Sequence, residues 1–273
     1  MTTIFDKFSL KDKTAIVTGG PGLLGAEFCR TLAEAGASVI VADINGDAAE
    51  KVAADLRGKG YKATGIGVDI TDKPQVQAMV QKALSLYKTV DVLVNSAALD
   101  PKFDPTHPEM GTNAFEDFPV DLWRKAVDVN LTGSFLCAQA AVAPMLEQGG
   151  GSIINICSMY GLVGPDQRLY IKEGAPTRYK PVFYTVTKSG IVGFTKYLAT
   201  YYAGKGIRVN ALTPGGIFNN NDETFLKNYS ARAVMGRMGR KDEMNGALLF
   251  LASDASSYMT GSNLIVDGGW TAW

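Results

Sequence analysis

Thr14-Ala15-Ile16-Val17-Thr18-Gly19-Gly20-Pro21-Gly22-Leu23-Leu24-Gly25 is the stretch that decides the fold. Its first half is a short β-branched, apolar run that reads as a strand buried on both faces. Its second half is a glycine-rich turn, and the helical run Ala26 to Ala35 follows. Such a turn, feeding a helix, presents unpaired backbone N–H groups and the positive end of a helix dipole to a pyrophosphate. Glycine is needed where a Cβ would hold the backbone away from the phosphates. Taken alone the turn is a weak signal, because such turns also serve purely as tight connections. Its place between a first strand and a first helix strengthens it.

Outward from this stretch the same rhythm repeats. Ser38 to Val41, Ala63 to Val68, Val90 to Val94, Ser152 to Ile156, Ile207 to Ala211 and Asn263 to Val266 are further short strand-like runs, with amphipathic helical stretches between them. About seven strands alternating with helices predict an α/β fold, a Rossmann-type doubly wound parallel sheet in a single domain over residues 1–273. A sheet of this kind takes its ligand at the carboxyl ends of its strands. Asp43 closes the second run roughly 18 to 20 residues beyond the glycine turn, where an acid accepts hydrogen bonds from adenosine ribose hydroxyls. That predicts NAD over NADP, since a carboxylate repels a 2′-phosphate and neither Ile44 nor Asn45 offers a cation. The alternative is an Asp43 that only caps a helix or makes a turn.

Composition narrows the function classes. With 46% apolar residues in 273, the chain can bury one large core. Its 27 basic and 27 acidic residues balance, so no global field recruits nucleic acid or an anionic membrane, and the expected partner is a small molecule. Cys29, Cys137 and Cys157 are odd in number and sit in apolar surroundings, as reduced buried thiols of a cytoplasmic protein would. Neither a secretory signal nor a membrane span is expected. The single histidine, His107, argues against a zinc site or a Ser-His-Asp hydrolase. It lies in a proline-rich loop, where a solvated side chain is the plain reading and substrate contact the sharper one.

Two stretches break the rhythm, residues 100–119 and 165–181, each rich in Pro, Gly, Tyr and charge. They are expected to wall a substrate pocket, the alternative being surface insertions; the segment 215–240 is the expected substrate lid. Downstream, Tyr184 and Lys188 stand four apart at the head of a stretch with helical apolar spacing, and so share a face. Ser158 follows the fifth strand, so a hydroxyl, a phenol and an ammonium can converge on one pocket. Each alone is common by chance.

Taken together and in order, these motifs resemble the short-chain dehydrogenase/reductase (SDR) family along essentially the whole chain. Thr18 to Gly25 corresponds to the family's T-G-x-x-x-G-x-G turn, Asp69-Ile70 to its acidic-aliphatic pair beside adenine, and Asn95-Ser96-Ala97-Ala98 to its N-N-A-G segment. Pro214-Gly215 and Asp267-Gly268-Gly269 also fit. The resemblance implies a catalytic tetrad of Asn130, Ser158, Tyr184 and Lys188. It further implies NAD contacts at Gly19, Gly22, Leu23, Leu24, Asp43, Ile44, Asp69, Ile70, Asn95, Ala97, Tyr184, Lys188, Pro214, Gly215 and Ile217. Three departures stand out: Leu23 where the family has its middle glycine, small residues in the N-N-A-G segment, and a Ser158 to Tyr184 spacing about twice the usual one.

The implied chemistry is hydride transfer between NAD(H) and a secondary alcohol or ketone. Tyr184 donates its phenolic proton to the developing alkoxide, and Lys188 and oxidised nicotinamide lower its pKa for the reverse direction. Ser158 donates to the substrate oxygen. Asn130 is expected to open its helix and position a water, the alternative being an asparagine bonded within its own helix. A cofactor-binding sensor or scaffold without turnover, and a nucleotide-sugar epimerase or dehydratase with recycled NAD, remain alternatives. The charged loops, with Asp100, Lys102, Asp104, Asp166, Gln167, Arg168, Lys172, Arg178 and Tyr179, and Asn219-Asn220-Asn221 beyond, suggest a polar substrate: a hydroxy acid, polyol or sugar derivative. Equally, those charges can simply solvate a rim. The family further implies a homotetramer or dimer, and Trp270 and Trp273 are expected to pack against the body or a neighbouring subunit.

Overall fold

The computed structural model describes residues 3–100, 113–171, 174 and 177–273. His107, Lys102, Asp104 and Lys172, and with them parts of both irregular stretches, lie outside the described residues.

Seven parallel strands form one sheet: β1 (Thr14–Thr18), β2 (Ser38–Asp43), β3 (Ala63–Gly67), β4 (Val92–Asn95), β5 (Gly151–Ile156), β6 (Ile207–Pro214) and β7 (Asn263–Val266), in the order β3-β2-β1-β4-β5-β6-β7. The apolar strand runs are continuous rather than alternating because both faces are covered. Within β1, Ile16 points into one core layer and Val17 into the other; Ile40 and Val41, and Ile153 and Ile154, divide the same way. One layer holds Phe28 and Leu32 of α1 (Gly25–Glu34), Ala49, Ala53 and Leu56 of α2 (Gly46–Gly58), and Leu248 and Leu251 of α8 (Asn245–Ala252). The opposite layer holds Val76, Met79 and Val80 of α3 (Lys73–Tyr87), Cys137 and Met145 of α5 (Gly133–Glu147), and Leu198 of α6 (Val182–Tyr201). Alternate strand residues thus feed two helical layers, the doubly wound arrangement.

Local sequence sets the helix limits. Asn45 caps α2 by accepting from the Ala48 N–H at 3.0 Å, Asp72 caps α3, and Asp222 caps α7 (Glu223–Ser230). Pro119 and Pro181 stand immediately before α4 (Val120–Val127) and α6, where a missing N–H costs nothing. Among the described residues, the cysteines Cys29, Cys137 and Cys157 are buried and free.

The strand order turns round between β1 and β4, so the connections leaving these two strands diverge and open a crevice at their carboxyl ends. Every element that carries a candidate site residue reaches that edge.

Candidate active site

At the crevice, Thr18 ends β1 with its hydroxyl oxygen accepting from the N–H groups of Ser96 and Ala97 at 3.1 and 3.2 Å. This lashes the glycine turn to the segment after β4. The approach is close enough that a Cβ on Gly19, whose φ is +66°, would lie 2.8 Å from Ala97 Cα, and one on Gly25 would lie 2.0 Å from the Gly19 carbonyl oxygen. The small residues in Asn95-Ser96-Ala97-Ala98 therefore serve packing between β1 and β4. Asn95 itself turns its amide inward, donating to Asn155 Oδ1 at 2.9 Å.

The amino terminus of α1 has no side-chain cap. Its free N–H groups and dipole, framed by glycines that keep the backbone bare, suit a dinucleotide pyrophosphate. Asp43 follows at the end of β2, on the same edge. Its Oδ1 accepts from the Asn45 N–H at 2.9 Å, and Asn45 is the residue that caps α2, so Asp43 shapes a turn and is not the helix cap. Ile44 beside it is 76% exposed, a large apolar side chain presented at the crevice rim. Asp69 is held by the Thr71 N–H and hydroxyl, whose bonds keep its carboxyl below its ordinary value, and Ile70 packs on Gly133. Across the crevice, Gly215 lies against the backbone of Asp267, and Ile217 pairs with Gly239. A nicotinamide dinucleotide fits this frame.

The expected tetrad is brought together. Between α4 and α5, residues Asp128–Thr132 form a π-helical turn. Asn130, buried inside it, accepts from the Leu99 N–H at 2.7 Å and donates to the Thr187 hydroxyl at 3.1 Å. Its amide thus joins the segment after β4 to α6, and the alternative of an asparagine bonded within its own helix is not what forms. The opened turn that the resemblance implied is the π turn itself; such insertions relieve the i→i−4 ladder and recur at functional sites.

Ser158 sits just past β5 in extended conformation, accepting from the Tyr160 N–H at 3.2 Å, and its hydroxyl stands close enough to the Tyr184 phenol to favour the phenolate. Tyr184 lies in the first turn of α6. Lys188, one turn on, is buried, with its ammonium 5.9 Å from the centre of the Tyr184 ring and donating to the Ile156 carbonyl at 2.8 Å. In one respect the chemistry departs from expectation: burial pushes the Tyr184 phenol well above its ordinary value, with the Asp100 carboxylate adding to the shift, and burial lowers the Lys188 ammonium. Desolvation is the largest influence on both groups.

Sequence reasoning missed Lys180. Its ammonium stands 3.8 Å above the centre of the Tyr184 ring and pairs with Asp100 at 2.5 Å. Gln167 holds the Lys180 backbone at both groups, accepting from its N–H at 2.8 Å and donating to its carbonyl at 3.3 Å. A glutamine and a lysine thirteen positions apart carry no pattern that periodicity can read. Among the described charges of the 165–181 stretch, Asp166 accepts from Arg168 and pairs with Arg232 beyond α7. Beside Tyr184 lies an aromatic cluster of Tyr160, Tyr170, Phe225, Tyr229 and Trp270, in which the Tyr229 and Trp270 rings stack 4.4 Å apart.

The comparisons with known proteins agree with this geometry. A family model of the short-chain dehydrogenase type, described as enoyl-(acyl carrier protein) reductase, matches residues 23–271. The chain is 34% identical over 265 residues to a cis-4-hydroxycyclohexanecarboxylate dehydrogenase of Sinomonas cyclohexanicum, covering 96% of this chain and 97% of the relative. It is 35% identical to the solved structure of a short-chain type dehydrogenase/reductase from Mycobacterium marinum, with a TM-score of 0.85 over 99% of this chain and 100% of the other. A gluconate 5-dehydrogenase from Burkholderia cenocepacia J2315, solved with NADP and tartrate, is 32% identical with a TM-score of 0.84, covering 99% of this chain and 100% of that one. The chain belongs to the short-chain dehydrogenase/reductase family. It is an oxidoreductase that uses a nicotinamide cofactor on an alcohol or ketone of small-molecule size.

Proposed function

We propose that the chain is an NAD-dependent dehydrogenase of a polar secondary alcohol, with Asn130, Ser158, Tyr184 and Lys188 as its catalytic residues. The observation that carries the reading is the convergence of the Ser158 hydroxyl, the Tyr184 phenol and the Lys188 ammonium one helical turn on, at the strand edge where the uncapped end of α1 also opens.

When bound, the nicotinamide supplies or accepts the hydride. In reduction, Tyr184 donates its proton to the oxygen that becomes the alkoxide, and its raised pKa keeps that proton available. Ser158 donates a second hydrogen bond to the same oxygen, where charge develops. Lys188 spends one of its three N–H donors on Ile156 and has others for the nicotinamide ribose. Asn130 holds the segment after β4 against α6, so that both walls of the site keep their spacing.

For the cofactor, the bare glycine turn at Gly19 and Gly22 with the backbone N–H groups of Leu23 and Leu24 receives the pyrophosphate, Asp43 and Ile44 the adenosine ribose, and Asp69 and Ile70 the adenine. Asn95, Ala97, Pro214, Gly215 and Ile217 flank the nicotinamide half. NAD is favoured over NADP because the Asp43 carboxylate meets the ribose with no cation supplied by Ile44 or Asn45. The relative solved with NADP makes this discrimination the point to test.

The test is oxidation of NADH and of NADPH, followed by absorbance, with a panel of oxo acids, ketoses and simple ketones. Expected are turnover with NADH, its loss in Tyr184→Phe, and a swing toward NADPH in Asp43→Ser. Dinucleotide binding without net turnover on any substrate would overturn the dehydrogenase; equal use of both cofactors would overturn the role of Asp43.

A further inference from the structure

We propose that Lys180 is a carboxylate-binding residue of the substrate pocket, and that the substrate is a hydroxy or oxo acid whose apolar body rests on the neighbouring aromatic wall. The proposal rests on the dehydrogenase reading and narrows it.

A lysine on a loop ordinarily leaves its ammonium in water and lays only its stem on the protein. Lys180 does the reverse. Its side chain is 14% exposed, and its ammonium lies over the ring of Tyr184, the residue that would carry the proton. The position is built from the backbone upward. Gln167 takes both backbone groups of Lys180, Asn113 Nδ2 donates to the Tyr179 carbonyl at 3.3 Å, and Pro181 begins α6 directly afterwards. Lys180 is therefore presented from the same rigid helix start that presents Tyr184.

Its ion pair with Asp100 has a structural reading, a tie between the segment after β4 and α6. A half-exposed pair contributes little to stability, however, and Asp100 is 46% exposed. An ammonium has three donors, of which Asp100 engages one. A second carboxylate can share Lys180, or replace Asp100, whose return to water strands no buried charge. The cation lies over the Tyr184 ring, so a carboxylate on it sits close to the carbon whose oxygen Tyr184 serves. The other half of the recognition is apolar: Tyr184 packs on an aromatic cluster in which Tyr160, Tyr229 and Trp270 are buried as backing, while the half-buried rings of Tyr170 and Phe225, 5.7 Å apart, are the part a cyclic or branched body can reach. Of the carboxylates near this wall, Asp166 is neutralised by Arg168 and Arg232. A polyol or sugar would bring no second charge to the donors of Lys180 that Asp100 leaves over.

The probes are cyclohexanecarboxylate and cyclohexanecarboxamide, a matched charged and neutral pair without a reacting hydroxyl. Each is titrated calorimetrically into the full chain with oxidised dinucleotide present. Expected is about tenfold tighter binding of the carboxylate by wild type, the size of one charge-assisted contact. Lys180→Gln should erase that preference while leaving amide affinity within about twofold, Lys180→Arg should keep it, and Asp100→Asn should tighten the carboxylate by removing its competitor. Absence of carboxylate binding, equal affinity for the pair in wild type, or a preference that survives Lys180→Gln overturns the proposal. Because the readout needs no turnover, its failure is separable from failure of the dehydrogenase reading, which shows as absent hydride transfer with every alcohol and ketone.

Discussion

At the scale of the residue, burial is the dominant electrostatic fact of the site. Tyr184 holds its proton more tightly than a solvated phenol, whose pKa is near 10, because removing it leaves a charge in a dry place. The sign for catalysis follows. Reduction consumes the protonated phenol, so the reductive kcat/KM should show no loss assignable to Tyr184 between about pH 7 and 9. Oxidation needs the phenolate and should climb with pH over the same range, at up to about tenfold per unit. Rate profiles in both directions check this, and a reductive limb falling through neutral pH would contradict it. Asn130 is the second residue whose environment sets its worth. Asn130→Ala leaves the Leu99 N–H without its acceptor and takes one donor from the Thr187 hydroxyl, at about 1–3 kcal/mol. Calorimetry should show a melting point lowered by several degrees, and kcat should fall with it as the two walls part.

At the scale of the element, the glycine turn and the π turn do their work by shape. The turn brings α1 against β1 so closely that Gly25→Ala would drive a methyl group into the Gly19 carbonyl. Moving α1 outward displaces the N–H groups that meet the pyrophosphate, so dinucleotide affinity measured by fluorescence should fall by about tenfold or more. Gly58→Ala, near the end of α2 with nothing within 4 Å of the added Cβ, is the control and should leave binding unchanged. Equal effects from both would mean that helix propensity, and not the close approach, was being measured. The π turn is the complementary case, since one extra residue within a continuous helical run from Val120 to Glu147 aims Asn130 at α6.

At the scale of the whole molecule, the helical run Val120–Glu147 is long and apolar enough to cross a membrane by length and composition, yet half of its most apolar window is buried within the chain. Next to it, on α5 and α6, Phe135, Val186, Tyr197 and Tyr201 stand 44–65% exposed, with Tyr197 and Tyr201 stacked on each other. A second copy of the chain is the cover we propose for this surface, in line with a dimer or tetramer. Sedimentation should therefore give an oligomer, and Tyr197→Asp with Tyr201→Asp should reduce it to a smaller species; a wild-type monomer would refute the assignment. The two C-terminal tryptophans divide. Trp270 is buried on Tyr229, whereas Trp273 is 81% exposed, with its indole N–H donating to the Arg232 carbonyl.

Much of this was legible in the chain. Two-sided burial makes a central parallel strand a continuous apolar run, so the inner strands stood out as β-branched stretches while the edge strands β3 and β7 followed from the alternation with helices, and glycines betray a tight approach where they cluster between strand and helix. Tyr184 and Lys188 declared their shared face by a spacing that the helix imposes. What escaped is whatever joins distant segments through side chains. The amide of Asn130 on Leu99 and Thr187, the grip of Gln167 on Lys180, and the meeting of Lys180 with Asp100 over Tyr184 have no period and no fixed offset. Local periodicity and turn chemistry act over a few residues, so they set out the order of strands and helices in advance, while the reaction was legible only through the resemblance of the motifs to a known family. Only the tertiary structure decided how acidic Tyr184 is and which charge stands over it, because desolvation and Coulomb energy depend on distances that the folded sheet alone creates.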